Sequence, residues 1–208
     1  NIILESGGSG IILVEKSGLY PENNTFINNS FSNVASYDFW ISSSGGTNGS
    51  WLVDQPVSSY YIDDSIVYFK DSSYGMIEFL EGISGSGSNL SGDVWIGSNL
   101  ISVNSSQSGL NKSANLTFYG VSVTGDSRSF RNGIVCPSSV CSGFGNVSDT
   151  YYFNVTGFTN YSVGEACGEV IVDSKILEYN LTCPSTGITI GASNIVLDCA
   201  GFNITYGV

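Results

Sequence analysis

The chain has 208 residues and a formal net charge of −12, with 18 acidic against 6 basic side chains and no histidine. So acidic a surface repels nucleic-acid backbones and anionic lipid headgroups, which removes both as expected partners. The lack of histidine removes the commonest general base and the commonest imidazole metal ligand together.

No run of about 18 apolar residues is present to span a membrane. The chain opens on Asn1-Ile2-Ile3-Leu4, a strand, and not on a basic, then apolar, leader. If the protein is secreted, its targeting segment is expected to have been removed or to lie outside this chain. Helical periodicity is nearly absent, because Gly, Ser and Asn interrupt every candidate stretch. Strands are expected over 65–70, 76–80, 93–96, 100–103, 115–119 and 151–155, where β-branched and aromatic residues alternate with polar ones. The stretch from Gly82 to Gly92 is rich in Gly and Ser and reads as a long flexible connection. Short strands separated by Gly/Ser turns predict a β-sandwich over 51–166.

Asn-x-Ser/Thr acceptors for N-glycosylation begin at Asn23, Asn28, Asn48, Asn89, Asn104, Asn111, Asn115, Asn146, Asn154, Asn160, Asn180 and Asn203. A set this dense points to a glycan-bearing surface in an extracellular or cell-surface protein. The five cysteines agree with an oxidising compartment. Cys136 and Cys141 bracket a short Pro-containing loop and are expected to staple it. Cys167, Cys183 and Cys199 follow at equal intervals. Of these, either Cys183–Cys199 or Cys167–Cys183 can form, and Cys183–Cys199 is preferred. The odd thiol is expected to stay free or to pair between chains.

The chain ends share a pattern. Asn194-Ile195-Val196-Leu197-Asp198-Cys199-Ala200-Gly201 is identical to Asn1-Ile2-Ile3-Leu4-Glu5-Ser6-Gly7-Gly8 at four of eight positions, with Val for Ile, Asp for Glu, Cys for Ser and Ala for Gly at the others. Ile188, Ile204 and Ile11 stand at one and the same distance after Cys183, Cys199 and Ser6. This predicts a repeat of about 16 residues and solenoid-like turns, each burying its apolar face on the next. Placing Val208 before Asn1 carries the pattern through the seam. The expected subunit interface is therefore Asn1, Ile2, Ile3 and Leu4 of one copy against Ile195, Val196, Leu197 and Ile204 of another.

The segment from Cys183 to Thr205 resembles the opening coils of right-handed parallel β-helix proteins, and most of all the pectate-lyase-like repeats of large archaeal surface proteins. Residues 23–33 resemble a late coil of such a helix, and 110–119 through 153–162 resemble the sandwich that follows it. The resemblance implies an all-β chain: a β-sandwich over 51–166 flanked by β-helix or solenoid-like coils at 1–50 and 167–208.

No catalytic residues, metal site or cofactor are expected. Asp54, Asp63, Asp64 and Asp71 could hold a structural calcium ion, but solvated turn aspartates are the favoured reading. Glu78 and Glu81, the close Glu pair, fall on opposite faces of a strand, and a glycosidase needs two carboxylates across one cleft. Trp40, Trp51, Tyr60 and Tyr61 are either core residues or a sugar-binding platform. The expected function is a structural subunit of an extracellular filament or surface layer, assembling head to tail with copies of itself. The alternative is a carbohydrate-binding or adhesin module of a longer tandem-repeat protein, with cell-surface polysaccharide as a possible partner.

Overall fold

The computed structural model describes residues 2–4, 8–14, 21–42, 49–123, 127–165, 167–177, 181–183 and 186–206. The N-terminal third is built from short strands: β1 (Ile2–Leu4), β2 (Ile11–Val14), β3 (Thr25–Ile27), β4 (Ser30–Ser32), β5 (Phe39–Ser42), β6 (Ser50–Val53), β7 (Tyr60–Ser65) and β8 (Val67–Asp71). Every pairing among them is parallel and in register. Ile2 lies opposite Ser30, Ile11 opposite Phe39 and Thr25 opposite Trp51. The next pass sets Phe39 opposite Tyr60 and Ser50 opposite Val67. The chain thus passes the same three ladders in turn. At one corner Asn29, which is buried, donates Nδ2 to Gln55 Oε1, and Gln55 Nε2 returns a bond to the Asn29 carbonyl. This polar stack joins equivalent corners of successive passes and satisfies groups that burial would otherwise strand.

Beyond β8 the pairing switches from parallel to antiparallel. The following elements are β9 (Gly75–Phe79), β10 (Ile83–Gly87), a one-turn helix α1 (Leu90–Asp93), β11 (Val94–Gly97), β12 (Leu100–Val103), β13 (Ala114–Phe118), β14 (Ser127–Arg131), β15 (Ile134–Val135), β16 (Cys141–Val147), β17 (Thr150–Val155) and β18 (Asn160–Glu165). All their ladders are antiparallel. Two sheets nevertheless run from the parallel region straight into the antiparallel one, in the orders β10-β7-β5-β2 and β16-β17-β13-β9-β8-β6-β3. Neither breaks at residue 51, which lies inside β6. A third sheet has the order β11-β12-β18-β14-β15. The inward residues of all three form one apolar cluster, including Phe39, Ile41, Tyr60, Phe79, Phe118 and Phe153.

The 82–92 stretch is not a flexible connection. Ile83 is fully buried and opens β10, which pairs with β7, and Leu90 is buried at the start of α1. Asn89 caps that turn, its Oδ1 accepting from the Gly92 amide at 3.0 Å. Two apolar anchors and a cap outweigh the Gly/Ser composition.

The C-terminal segment returns to parallel pairing. It contains β19 (Glu169–Ile171), β20 (Lys175–Ile176), β21 (Leu181–Cys183), β22 (Ile188–Ile190), β23 (Leu197–Asp198) and β24 (Ile204–Tyr206). Glu169 faces Ile188, Lys175 faces Leu197 and Leu181 faces Ile204, and each of these steps along the chain is longer than the cysteine spacing. The expected period is therefore too short, because the turns between ladders differ in length. Leu181, Cys183, Ile188 and Ile204 form a small second core, closed on one side by Val135.

A polar network ties the 89–110 region to the main core. Tyr60, fully buried, donates its hydroxyl to Asp93 Oδ2 at 2.7 Å and accepts from Gln107 Nε2 at 3.0 Å. Burial and the Asp93 carboxylate push the Tyr60 hydroxyl above its ordinary pKa, so it remains a donor. Tyr60→Phe leaves both partners unmet and is expected to cost about 1–2 kcal/mol, read as a lower midpoint in urea denaturation with an unchanged slope.

Candidate functional site

The first feature with functional content is the pair of parallel stacks. In the N-terminal stack, β1, β2 and β3 each pair on one side only, with β4, β5 and β6. In the C-terminal stack, β22, β23 and β24 each pair on one side only, with β19, β20 and β21. Among the described residues no strand covers the other edges, so each stack presents three rows of main-chain donors and acceptors. The C-terminal stack also exposes more than half of Val170, Val172, Ile176, Ile190 and Val196. An apolar surface this dense around so small a core is unusual for a face left to water.

Of the expected interface residues, Val196 is exposed, while Ile195, Leu197 and Ile204 are half-buried. Ile2, Ile3 and Leu4 form β1, and Asn1 lies outside the described residues. Strands β2 and β24 alternate in phase. In β2, Ile11 is half-buried, Ile12 exposed and Leu13 buried. In β24, Ile204 is half-buried and Thr205 exposed. Since a one-residue slip reverses every side chain, equal phase is a requirement for one stack to continue the other.

The disulfides depart from expectation at one point. Cys136 and Cys141 are bridged, with a Cα–Cα distance of 5.9 Å. The second bridge joins Cys167 to Cys183, with a Cα–Cα distance of 5.6 Å, and Cys199 is free and half-buried. The preferred Cys183–Cys199 pairing is thus wrong. The ladder partner of Cys183 is Tyr206, because the local step exceeds the cysteine spacing, and Cys199 falls in the turn after β23. The observed bridge closes the first C-terminal pass on itself.

Ten of the twelve acceptor asparagines lie in described residues; Asn48 and Asn180 do not. Asn23, Asn28, Asn89, Asn104, Asn111, Asn146, Asn154, Asn160 and Asn203 are exposed, and Asn115 is half-buried. Some also hold structure through the side chain: Asn111 Oδ1 accepts from the Phe158 amide at 2.6 Å, and Asn104 Nδ2 donates to Asp93 Oδ1 at 2.8 Å. Asn115 and Asn154 face each other directly across the β13–β17 ladder.

The carboxylates act locally. Asp54 accepts from the amide and hydroxyl of Ser72, which hold its carboxyl below the usual aspartate range. Asp71 accepts from the Ser73 and Tyr74 amides, and the Asp63 carboxylate accepts from the Ser42 hydroxyl. Asp54 and Asp64 both have left-handed backbone, Asp54 just after β6 and Asp64 near the end of β7. Among the described residues, no three of His, Cys, Asp and Glu converge as a metal site would require. Glu78 lies on β9, and Glu81 accepts from Ser113 and pairs with Lys112.

The four aromatics do not make one platform. Tyr60 is core. Trp40 and Tyr61 meet at 5.7 Å on β5 and β7, with Tyr37 beside them, whereas Trp51 meets Tyr68 at 4.8 Å on the other long sheet. A groove of about 500 Å³ runs between the β14–β15 hairpin and β19–β20, lined by Phe130, Ile134, Val170 and Val172, with the Lys175–Glu169 ion pair within it. No family model, curated protein or solved structure matches this chain.

Peptide mapping without reduction should find Cys167 joined to Cys183 and only Cys199 open to alkylation. Cys183→Ser should lose about 3 kcal/mol by opening a loop of that length, whereas Cys199→Ser should change stability by less than about 0.5 kcal/mol.

Proposed function

We propose that this chain is a structural unit of an extended, extracellular, glycan-bearing assembly, in which the C-terminal stack of one copy continues into the N-terminal stack of the next by parallel β-pairing. In this reading both stacks are coils of a β-helix, like the archaeal surface-protein repeats that the sequence resembles, and the antiparallel region between them is a sandwich-like spacer. The observation that carries it is the correspondence of β23 and β24 with β1 and β2. The segments share a sequence pattern, an equal step from Ile195 to Ile204 and from Ile2 to Ile11, and open edges. β24 and β2 also share the same inward–outward phase.

Continuation would set Leu197 opposite Leu4 and Ile204 opposite Ile11 of the neighbouring unit. It would satisfy the open main-chain edges and cover apolar surface such as Val196, which favours association through the hydrophobic effect. Dense acceptors on the remaining surface suit a unit whose sides stay in water. Two disulfides fit an oxidising, extracellular setting. Among the described residues no helix is long and apolar enough to cross a membrane.

A module within a longer tandem polypeptide uses the same pairing inside one chain. The mass of the natural polypeptide separates the two: a mass several times that of this chain plus glycans favours the tandem module.

Ile204 gives a sharp test. The Leu181 amide donates to the Asn203 carbonyl, so in this parallel ladder Asn203 and Thr205 turn their main-chain groups toward β21 and Ile204 turns its own outward. Ile204→Pro removes an outward donor while sparing the internal ladder. By electron microscopy and sedimentation, the parent chain should form linear polymers and Ile204→Pro should stay dispersed, with Ile204→Val polymerising normally. A parent that remains monomeric at high concentration, or an Ile204→Pro chain that polymerises equally, would contradict the reading.

A further inference from the structure

The outer face of the seven-stranded sheet carries one continuous row of side chains. Thr25 lies opposite Trp51, Trp51 opposite Tyr68, Tyr68 opposite Glu78, Glu78 opposite Asn115 and Asn115 opposite Asn154. At its edge the row holds a glycan acceptor beside a pair of half-exposed rings. Thr25 is the third residue of the Asn23-Asn24-Thr25 acceptor, and the Trp51 amide donates to the Asn24 carbonyl at 2.7 Å. Asn23 itself is exposed in a left-handed turn, with φ of 52°.

Gly49 shows how close the acceptor and the rings come. A Cβ placed on Gly49 would lie 2.9 Å from Tyr68 Cε2 and 3.3 Å from Asn23 Oδ1. The Asn23 amide and the Tyr68 ring therefore converge over a bare stretch of backbone, with the Trp51 ring 4.8 Å from that of Tyr68. The positive φ of Gly49, 71°, keeps a side chain out of this space.

From this geometry we infer that Trp51 and Tyr68 form the seat for the first sugar of a glycan on Asn23. The inference rests on the glycoprotein reading above. The N-glycosidic bond forms between Asn23 Nδ2 and the anomeric carbon of a polyprenyl-phosphate-linked oligosaccharide; Nδ2 gives up one proton and the lipid phosphate departs with the bonding pair. The C–H face of that sugar then lies against the two rings, removing apolar area of both from water and fixing the glycan along the sheet.

The test uses the full chain carrying Asn48→Gln, so that the neighbouring acceptor does not contribute, secreted from a eukaryotic host. Glycopeptide mass spectrometry reads occupancy at Asn23. Melting is then compared with and without the Asn23 glycan (Asn23→Gln), in the parent and in Trp51→Leu. The glycan should raise the melting temperature by about 2–4 °C in the parent, the shift of a contact of about 1 kcal/mol in a chain of this size, and by little in Trp51→Leu. It should also blue-shift tryptophan emission in the parent, a readout that survives if Trp51→Leu folds poorly. An occupied Asn23 with no stabilisation and no emission shift would overturn the seat while leaving the glycoprotein reading intact. An Asn23 found bare would overturn both at this position.

Discussion

Parallel, in-register pairing between successive passes is the constraint on which the rest of this structure depends. A strand that pairs in parallel cannot be followed by its partner through a tight turn, so the chain must travel round before returning to the same ladder. That journey produces three ladders at each end of the chain, places Asn29 and Gln55 at matching corners, and leaves the outermost strands with one edge that no described strand covers. The antiparallel middle escapes this constraint: β8 turns directly into β9, and the two long sheets change from parallel to antiparallel pairing within one continuous sheet. The N-terminal stack thereby shares the large apolar cluster of the middle region.

The C-terminal stack is held differently. Its own core is little more than Leu181, Cys183, Ile188 and Ile204, and many of its remaining aliphatics face water. A core of that size supplies little of the free energy needed to order three short strand pairs. The Cys167–Cys183 bridge, which closes one pass, and Val135 from the β14–β15 hairpin offset part of that cost. Further stacking would supply the rest, which is the physical reason for reading the exposed edge and aliphatics as an assembly surface.

The strands of the middle region were legible because alternation is a local signal. Leu100–Val103 is found as expected, Thr150–Val155 begins one residue earlier than expected, and Ala114–Phe118 is shifted by one residue at both ends. Long-range facts were less legible. Cysteine spacing suggests a regular short period, but Cys183 ends β21 opposite Tyr206 while Cys167 and Cys199 lie outside the strands, so no two of the three are ladder partners. Gly/Ser composition hid β10, whose place depends on Ile83 reaching the common core. Whether Trp40 and Trp51 share a face is decided by which sheet each strand joins, and no local pattern encodes that. The row from Thr25 to Asn154 was invisible for the same reason, since it is assembled from strands scattered along the chain between β3 and β17.

The most direct measurement of the central claim is a cryo-electron-microscopy reconstruction of assembled protein at a resolution that separates strands about 4.8 Å apart. The account predicts an unbroken parallel ladder from one unit to the next, with Leu197 opposite Leu4 and Ile204 opposite Ile11. Units joined through other surfaces, with the β23, β24, β1 and β2 edges left in solvent, would contradict it.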